Sequence, residues 1–336
     1  MADLGGLSEQ RRAVVTGASG HVGANLVRVL LERGRSVRAL IHKQTRALDG
    51  LPSQVVRADV LDRKSLIAAF AGADCVYHLA AKVSVGWEPA PVVSDINVAG
   101  TANVVEACLA VGVRRLVHFS SIQALAPGAN TVDEDCRLVD ARDGGRGAYD
   151  IAKAEAERLV LAAVARGLDA VILNPTAVIG PFDFQPSPMG EVLSALAHGK
   201  LLALVAHAQC DFVDVRDVAS AALAAEIQGR SGERYILSGT RLSLVELARL
   251  WAKTTGKPAP GFVVPMGVAR LAAPFAAAWA RLRRRRPLFT PESLRVLRNQ
   301  RSAVRCKAEC ELAYRPRPIE ETLRDTYGWW KDQGWA

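Results

Sequence analysis

The sequence predicts a doubly wound α/β fold, in which helices cover both faces of a parallel sheet and a smaller C-terminal lobe sits against it. Three observations predict it. Short β-prone runs alternate with helix-length segments through the first half of the 336-residue chain, which calls for parallel strands joined by right-handed crossovers. Those β-prone runs are almost continuously apolar, as strands buried on both faces must be. The first strand-to-helix junction is rich in glycine, Thr16-Gly17-Ala18-Ser19-Gly20-His21-Val22-Gly23, the mark of a Rossmann-like sheet.

The elements follow in order. Residues 13–16 form a first strand that runs straight into the glycines. Residues 21–33 carry Val22, Leu26, Val29 and Leu30 at helical spacing and stop at Gly34, suited to a left-handed C-cap. Strands are predicted over 36–41, 54–57 and 74–78, then one long helix over 92–111, closed by Gly112. A fifth strand spans 116–120, a helix 148–165 and a sixth strand 170–173. After Pro175 the texture changes, with Gly180, Pro181, Pro186 and Pro188 marking a loop that also holds aromatics. Residues 1–178 therefore read as a nucleotide-binding domain and 179–336 as a smaller substrate lobe, with 211–238 returning to the first.

Composition sets further bounds. Half of the chain is apolar and 23% charged, ordinary for a globular enzyme and against long disorder. Residues 1–12 lack the apolar core of a signal peptide, and no uninterrupted apolar run reaches about 18 residues. Cys75, Cys108, Cys136, Cys210, Cys306 and Cys310 form no C-x-x-C pair and no metal site is expected; reduced thiols in a cytoplasmic protein are. Much of the +9 net charge lies late, at Arg281, Arg283–Arg286, Arg295, Arg298, Arg301 and Arg305. Without an aromatic platform or zinc-finger spacing, this reads as a solvated face, not a nucleic-acid partner. The apolar stretch 262–280 before it reads as a lid or core helix of the small lobe, in preference to a helix lying on a membrane surface.

The glycine junction carries the first chemistry. Glycine lets the backbone turn with positive φ and approach a pyrophosphate, and the following helix N-terminus offers free N–H groups to that anion. The spacing is G-x-x-G-x-x-G, with Gly17, Ser19, Gly20, His21, Val22 and Gly23 as the candidate contacts. The end of the second strand decides the cofactor, because a carboxylate there accepts from the ribose 2′-OH of NAD. Here it reads Ile41-His42-Lys43-Gln44-Thr45-Arg46, with no acid until Asp49. Lys43 and Arg46 would attract a 2′-phosphate, so NADP is expected and NAD disfavoured. Asp59-Val60, after the third strand, falls where adenine should lie.

The second site is Tyr149-Asp150-Ile151-Ala152-Lys153. Tyrosine and lysine four residues apart share a helix face, and an ammonium beside the phenol lowers its pKa toward the working pH. The fifth strand ends in Phe119-Ser120-Ser121 at the carboxyl edge, where a serine hydroxyl can hold the substrate oxygen. Asn97 can hold a water or a backbone group near Lys153.

Together these residues resemble the extended short-chain dehydrogenases/reductases of the NAD-dependent epimerase/dehydratase superfamily. The likeness also rests on His78-Leu79-Ala80-Ala81, Asn97-Val98-Ala99-Gly100-Thr101 and Asn174-Pro175-Thr176. The Gly180-Pro181-Phe182 turn and the 212–219 segment are similar to the dihydroflavonol-reductase-like branch. The resemblance implies that Ser121 rather than Ser120 is the catalytic serine, Tyr149 the general acid, and Lys153 both ribose ligand and tuner of Tyr149. It places Leu79, Ala80, Ala81, Pro175 and Thr176 around the nicotinamide, and makes a homodimer plausible. Ile122-Gln123 departs from the family's small residues, which makes Gln123 a substrate contact special to this chain.

The leading functional expectation is a ketoreductase or alcohol dehydrogenase acting on a largely apolar small molecule, with Trp87 and Phe184 covering it and Gln123 helping to orient the carbonyl. A sugar-nucleotide epimerase or dehydratase with bound NAD is the alternative, disfavoured by the missing acid after the second strand. A non-catalytic nucleotide-binding subunit is a third, disfavoured because Tyr149 and Lys153 are both present.

Overall fold

The computed structural model describes residues 12–86, 88–128, 131–201, 203–283, 290–298 and 302–335. The chain opens with β1 (Arg12–Thr16), α1 (His21–Glu32), β2 (Ser36–Ile41), a 3-10 turn at Arg46–Leu48, β3 (Gln54–Arg57), α2 (Arg63–Phe70) and β4 (Cys75–His78). One helical run follows, made of α3 (Ala90–Ser94), a π-type turn (Asp95–Ala99) and α4 (Gly100–Val111). After it come β5 (Arg115–Phe119), a 3-10 turn (Ile122–Ala124), β6 (Thr131–Val132), α5 (Ala148–Val164) and β7 (Ala170–Pro175). The next stretch holds β8 (Ala177–Ile179), α6 (Pro188–Ala197), β9 (Ala203–Val205), β10 (Gln209–Asp214), α7 (Val215–Gln228) and β11 (Arg234–Leu237). The chain ends through β12 (Thr240–Ser243), α8 (Leu244–Thr255), β13 (Phe262–Val264), α9 (Met266–Leu282), α10 (Pro291–Arg298), β14 (Ser302–Ala303), α11 (Cys306–Glu311) and α12 (Ile319–Asp332).

Seven parallel strands form the main sheet in the order β3-β2-β1-β4-β5-β7-β11, the doubly wound arrangement expected from the sequence. Alternate side chains of β1 serve the two faces. Ala13 and Val15 meet Leu26 and Leu30 of α1 with Val218 and Ala222 of α7. Val14 meets Leu66 and Phe70 of α2 with Val104 of α4 and Val160 of α5. All three β1 residues are fully buried, which is why the run is apolar without alternation. The strand order reverses between β1 and β4, so the ligand crevice opens above their carboxyl ends.

Three expectations need correction. The long helix begins at Ala90 and contains a π-type turn, because Asn97 spends its side chain outside the helix on both backbone groups of Lys82. Of segment 211–238, α7 and β11 do return to the main unit. Its first residues do not: β10 pairs with β8 and with antiparallel β12 in a second sheet. The edge beside β7 is already occupied by β11, and Cys210 and Phe212 point into the second core with Leu193, Trp251 and Leu323. Finally, α9 is not a core helix. Ala273 is buried, whereas Leu271, Phe275 and Leu282 are 76%, 79% and 77% exposed. Arginines 284–286 lie outside the described residues. Among the described residues no helix is long and apolar enough to cross a membrane, and all six cysteines are free thiols.

Candidate active site

The glycine loop is set by what surrounds it. Gly17 has φ +67°, and a Cβ on it would stand 2.7 Å from the backbone nitrogen of Ala80. A Cβ on Gly23 would stand 2.2 Å from the Gly17 carbonyl oxygen. The N-cap of α1 is Gly20, with no side-chain cap and no acid in the first turn. The first-turn amides of His21 to Gly23 are thus open to an anion at the positive end of the helix, so the residues fit a dinucleotide pyrophosphate.

A chain of hydrogen bonds that the sequence did not suggest ties this loop to the other side of the crevice. Thr16 Oγ1 accepts from the backbone N–H of Leu79 and of Ala80, at 3.2 Å each, and lies 2.8 Å from His78 Nδ1. Burial holds His78 down to about 3, so its ring is neutral. With Thr16 accepting twice, its hydroxyl donates to Nδ1, and the Nε2 proton donates to Thr101 Oγ1 at 3.0 Å. Thr101 in turn donates to the Asn97 carbonyl at 2.7 Å. Asn97 Oδ1 accepts from Lys82 N at 2.7 Å, so Asn97 holds a backbone segment rather than touching Lys153 directly. Thr16 and Thr101 look like ordinary helix- and strand-end residues in sequence, and only their partners give them a role.

At the acid–base end, Tyr149 lies in the first turn of α5 behind the N-cap Gly147, and Lys153 one turn on. Lys153 is 5% exposed and donates from Nζ to the Phe119 carbonyl at 2.7 Å. Ser121, whose side chain favours the ionised form of the neighbouring Tyr149 hydroxyl, accepts at Oγ from Gln123 N at 3.2 Å. The chain's own groups set the tyrosine upward. Burial pushes Tyr149 up to about 12, with Ser121 pulling it back and Asp150 adding to the rise. Burial also brings Lys153 down to about 8, against the pull of Glu157. Taking a phenolate out of water costs more than these neighbours return, and the ammonium is aimed at a carbonyl.

Glu157, fully buried one turn beyond Lys153, was missed by the sequence reading. Its carboxylate accepts from Asn174 Nδ2 at 3.0 Å and pairs with Arg234, while the same Asn174 amide donates to the Ser121 carbonyl at 3.2 Å. One buried carboxylate thereby anchors the Asn174 amide that holds the Ser121 backbone, and its charge acts on Lys153. The only sequence signal was its spacing, the third polar residue on the Tyr149–Lys153 face.

The remaining predicted contacts divide. His42 Nε2 lies 3.7 Å from Asp59 Oδ2, and Asp59 Oδ1 accepts from Leu61 N, so the two predicted contacts stand side by side. Val60 is pressed against Gly100, and its carbonyl accepts from Asn103 at 3.0 Å. Lys43 is exposed. The Arg46 guanidinium lies 4.9 Å from the Trp335 ring. The His21 ring faces the Gly180 and Pro181 carbonyls at 3.2 Å, so only its main-chain N–H is left for an anion. Gln185 reaches from the same loop to the Ser19 carbonyl at 3.3 Å. Thr176 Oγ1 donates to Asp211 at 2.7 Å beside Pro175, the last residue of β7.

Phe184 belongs to an aromatic cluster. It stacks on Phe182 and meets Trp329 and Trp335 edge to face, with Arg46 5.9 Å from its ring. Trp87 lies outside the described residues. Gln123 is half-buried next to Ser121. The mouth near α5 is closed by α10: Arg295 pairs with Asp150 at 3.2 Å, Glu292 lies against Gly86 and Gly147, and Thr290 donates to the Val85 carbonyl.

Comparison with known proteins agrees with this geometry. A family model described as the NAD dependent epimerase/dehydratase family matches residues 13–237. Sterol demethylase protein B of Methylococcus capsulatus is 36% identical over 96% of this chain and 98% of its own. A candidate dihydroflavonol 4-reductase of Synechocystis is 32% identical over 96% of this chain and 95% of its own. The crystal structure of gox2253 superposes with a TM-score of 0.83 at 29% identity, covering 96% of this chain and 99% of that one.

Proposed function

The chain belongs to the NAD-dependent epimerase/dehydratase family, the extended short-chain dehydrogenases/reductases, and from that premise we propose that it is an NADP(H)-dependent reductase of an apolar ketone. The family together with its reductase relatives supports an oxidoreductase; the cofactor and substrate are our reading. One observation carries that reading: Tyr149 and the buried Lys153 stand one turn apart on α5, with the Lys153 ammonium bonded to the Phe119 carbonyl, two residues before the buried Ser121. When bound, NADPH supplies a hydride to the carbonyl carbon. Ser121 holds the carbonyl oxygen by a hydrogen bond, and Tyr149 delivers the proton that completes the alcohol. Lys153 keeps a positive charge behind the phenol, so the phenolate left after transfer is stabilised. The raised Tyr149 suits this direction, because the phenol stays protonated at neutral pH until the carbonyl oxygen takes its proton.

NADPH is supported by Lys43 and Arg46 at the end of β2 and by the lack of an acid there. An apolar substrate is supported by the names of the two relatives, one referring to a sterol and the other to a dihydroflavonol. The test is cofactor oxidation across cyclic and aryl ketones, hydroxysteroids and sugar nucleotides, with NADPH and NADH. Turnover of an apolar ketone with a clear NADPH preference, reduced when Lys43 and Arg46 are both neutralised, is the expected result. Equal kcat/KM with the two cofactors would remove the NADP assignment. Inhibition by UDP-glucose with no ketone turned over would replace the reductase by an epimerase or dehydratase.

A further inference from the structure

On α9 the usual arrangement of an amphipathic helix is inverted. Ala273 is its buried contact with the body, and Met266 and Ala269 are the partly buried ones. Val268, Leu271, Phe275, Trp279 and Leu282 are 54%, 76%, 79%, 59% and 77% exposed. Their spacing of three, four, four and three residues puts all five on one face, turned about 160° from Ala273 by the helical period. Phe262 and Val263 on the preceding β13 extend the patch, at 76% and 48% exposed. A run of large side chains left in water while alanines face the protein marks a surface that another phase covers.

The charge around this face says which phase. Between Glu246 and Glu292 there is no acidic residue, and the same stretch carries nine lysines and arginines. The Arg283 guanidinium lies 4.7 Å over the Trp279 ring, so a cation sits at the rim of the apolar face with its ring below. Arg281 and arginines 284–286 continue the basic end in the sequence. Two copies of this face brought together by a twofold axis would bring like charge against like charge. A bilayer with anionic lipids offers apolar surface and opposite charge at once. The 17-residue length and Arg270 suit a helix that lies in the interface rather than one that spans it.

We propose that the outer face of α9, with Arg283 at its rim, docks this protein on the surface of anionic membranes. In the sequence α10 comes next after this helix, and its preceding residue Thr290 holds the Val85 carbonyl at the mouth of the cleft. If the substrate is the apolar ketone proposed above, it enters from the bilayer side, but docking itself does not depend on that reading.

The test uses the full-length protein and co-sedimentation with vesicles of phosphatidylcholine, alone or mixed with phosphatidylserine. Wild type is expected to sediment with the mixed vesicles at low salt, far less with phosphatidylcholine alone, and less as salt rises. Leu271→Ser/Phe275→Ser should weaken that binding about tenfold or more while leaving the melting temperature unchanged, because both side chains are exposed. Arg283→Gln should weaken it less. Absence of sedimentation with the mixed vesicles at low salt overturns the proposal. So does equal sedimentation of wild type and double variant, or a wild-type dimer that the double variant dissociates without any vesicle binding. A chain that binds vesicles but reduces no ketone leaves docking standing and removes only the substrate reading.

Discussion

Replacing Gly17 by alanine tests the cofactor loop, and Gly34→Ala supplies its control. The two glycines have nearly the same backbone, φ +67° and +70°. Around Gly34 nothing lies within 4 Å of a built Cβ, whereas at Gly17 that atom would stand 2.7 Å and 2.8 Å from the backbone of Ala80 and 2.9 Å from that of Leu79. Both substitutions incur the left-handed strain of an L-residue, about 1–2 kcal/mol, and both lose the same unfolded-state entropy. Only Gly17→Ala must also push the 79–80 backbone away, breaking two hydrogen bonds to Thr16 Oγ1 worth about 1 kcal/mol each. The expected difference is therefore about 2 kcal/mol in stability. It should appear again in the cofactor dissociation constant as a loss of about tenfold or more, since the displaced segment borders the pyrophosphate loop. Denaturant unfolding and a fluorescence titration with NADPH read the two quantities on one preparation. If Gly17→Ala matches Gly34→Ala in both, the close approach of β1 and β4 is not what requires the glycine, and the reasoning fails.

Tyr149→Phe should lower kcat by about two to four orders of magnitude with NADPH affinity unchanged, because it deletes the proton donor and leaves the ring; stopped-flow turnover that keeps a substantial fraction of the wild-type rate would falsify the acid assignment. Lys153, brought down to about 8 by burial, is protonated below that pH and loses its proton above it, so ketone reduction should fall as pH rises through about 8. Glu157 raises Lys153, so Glu157→Gln should move this alkaline limb to lower pH; a fall in melting temperature with the limb unmoved would leave Glu157 a structural residue only.

Much of this protein could be read before any coordinates. Local patterning depends on nearest neighbours, so the strand–helix alternation, the glycine loop and the Tyr149–Lys153 spacing stand in the sequence, and the main sheet forms as they require. The same holds for the missing acid after β2, which is a matter of residue type. What the sequence could not carry were contacts between distant segments. Thr16, His78, Thr101 and Asn97 form one hydrogen-bonded chain only because β1, β4 and the π-type turn meet above the crevice. Glu157 is linked to Ser121 through Asn174, 17 residues away, and to Arg234, 77 residues away. Phe184 joins an aromatic cluster contributed by α12 and the C-terminus, and β10 leaves the main sheet because β11 holds the edge. For α9 the sequence establishes an apolar helix with a basic end. Which side of it faces water is a tertiary matter: Ala273 packs into the second core, while Leu271, Phe275 and Trp279 stay exposed.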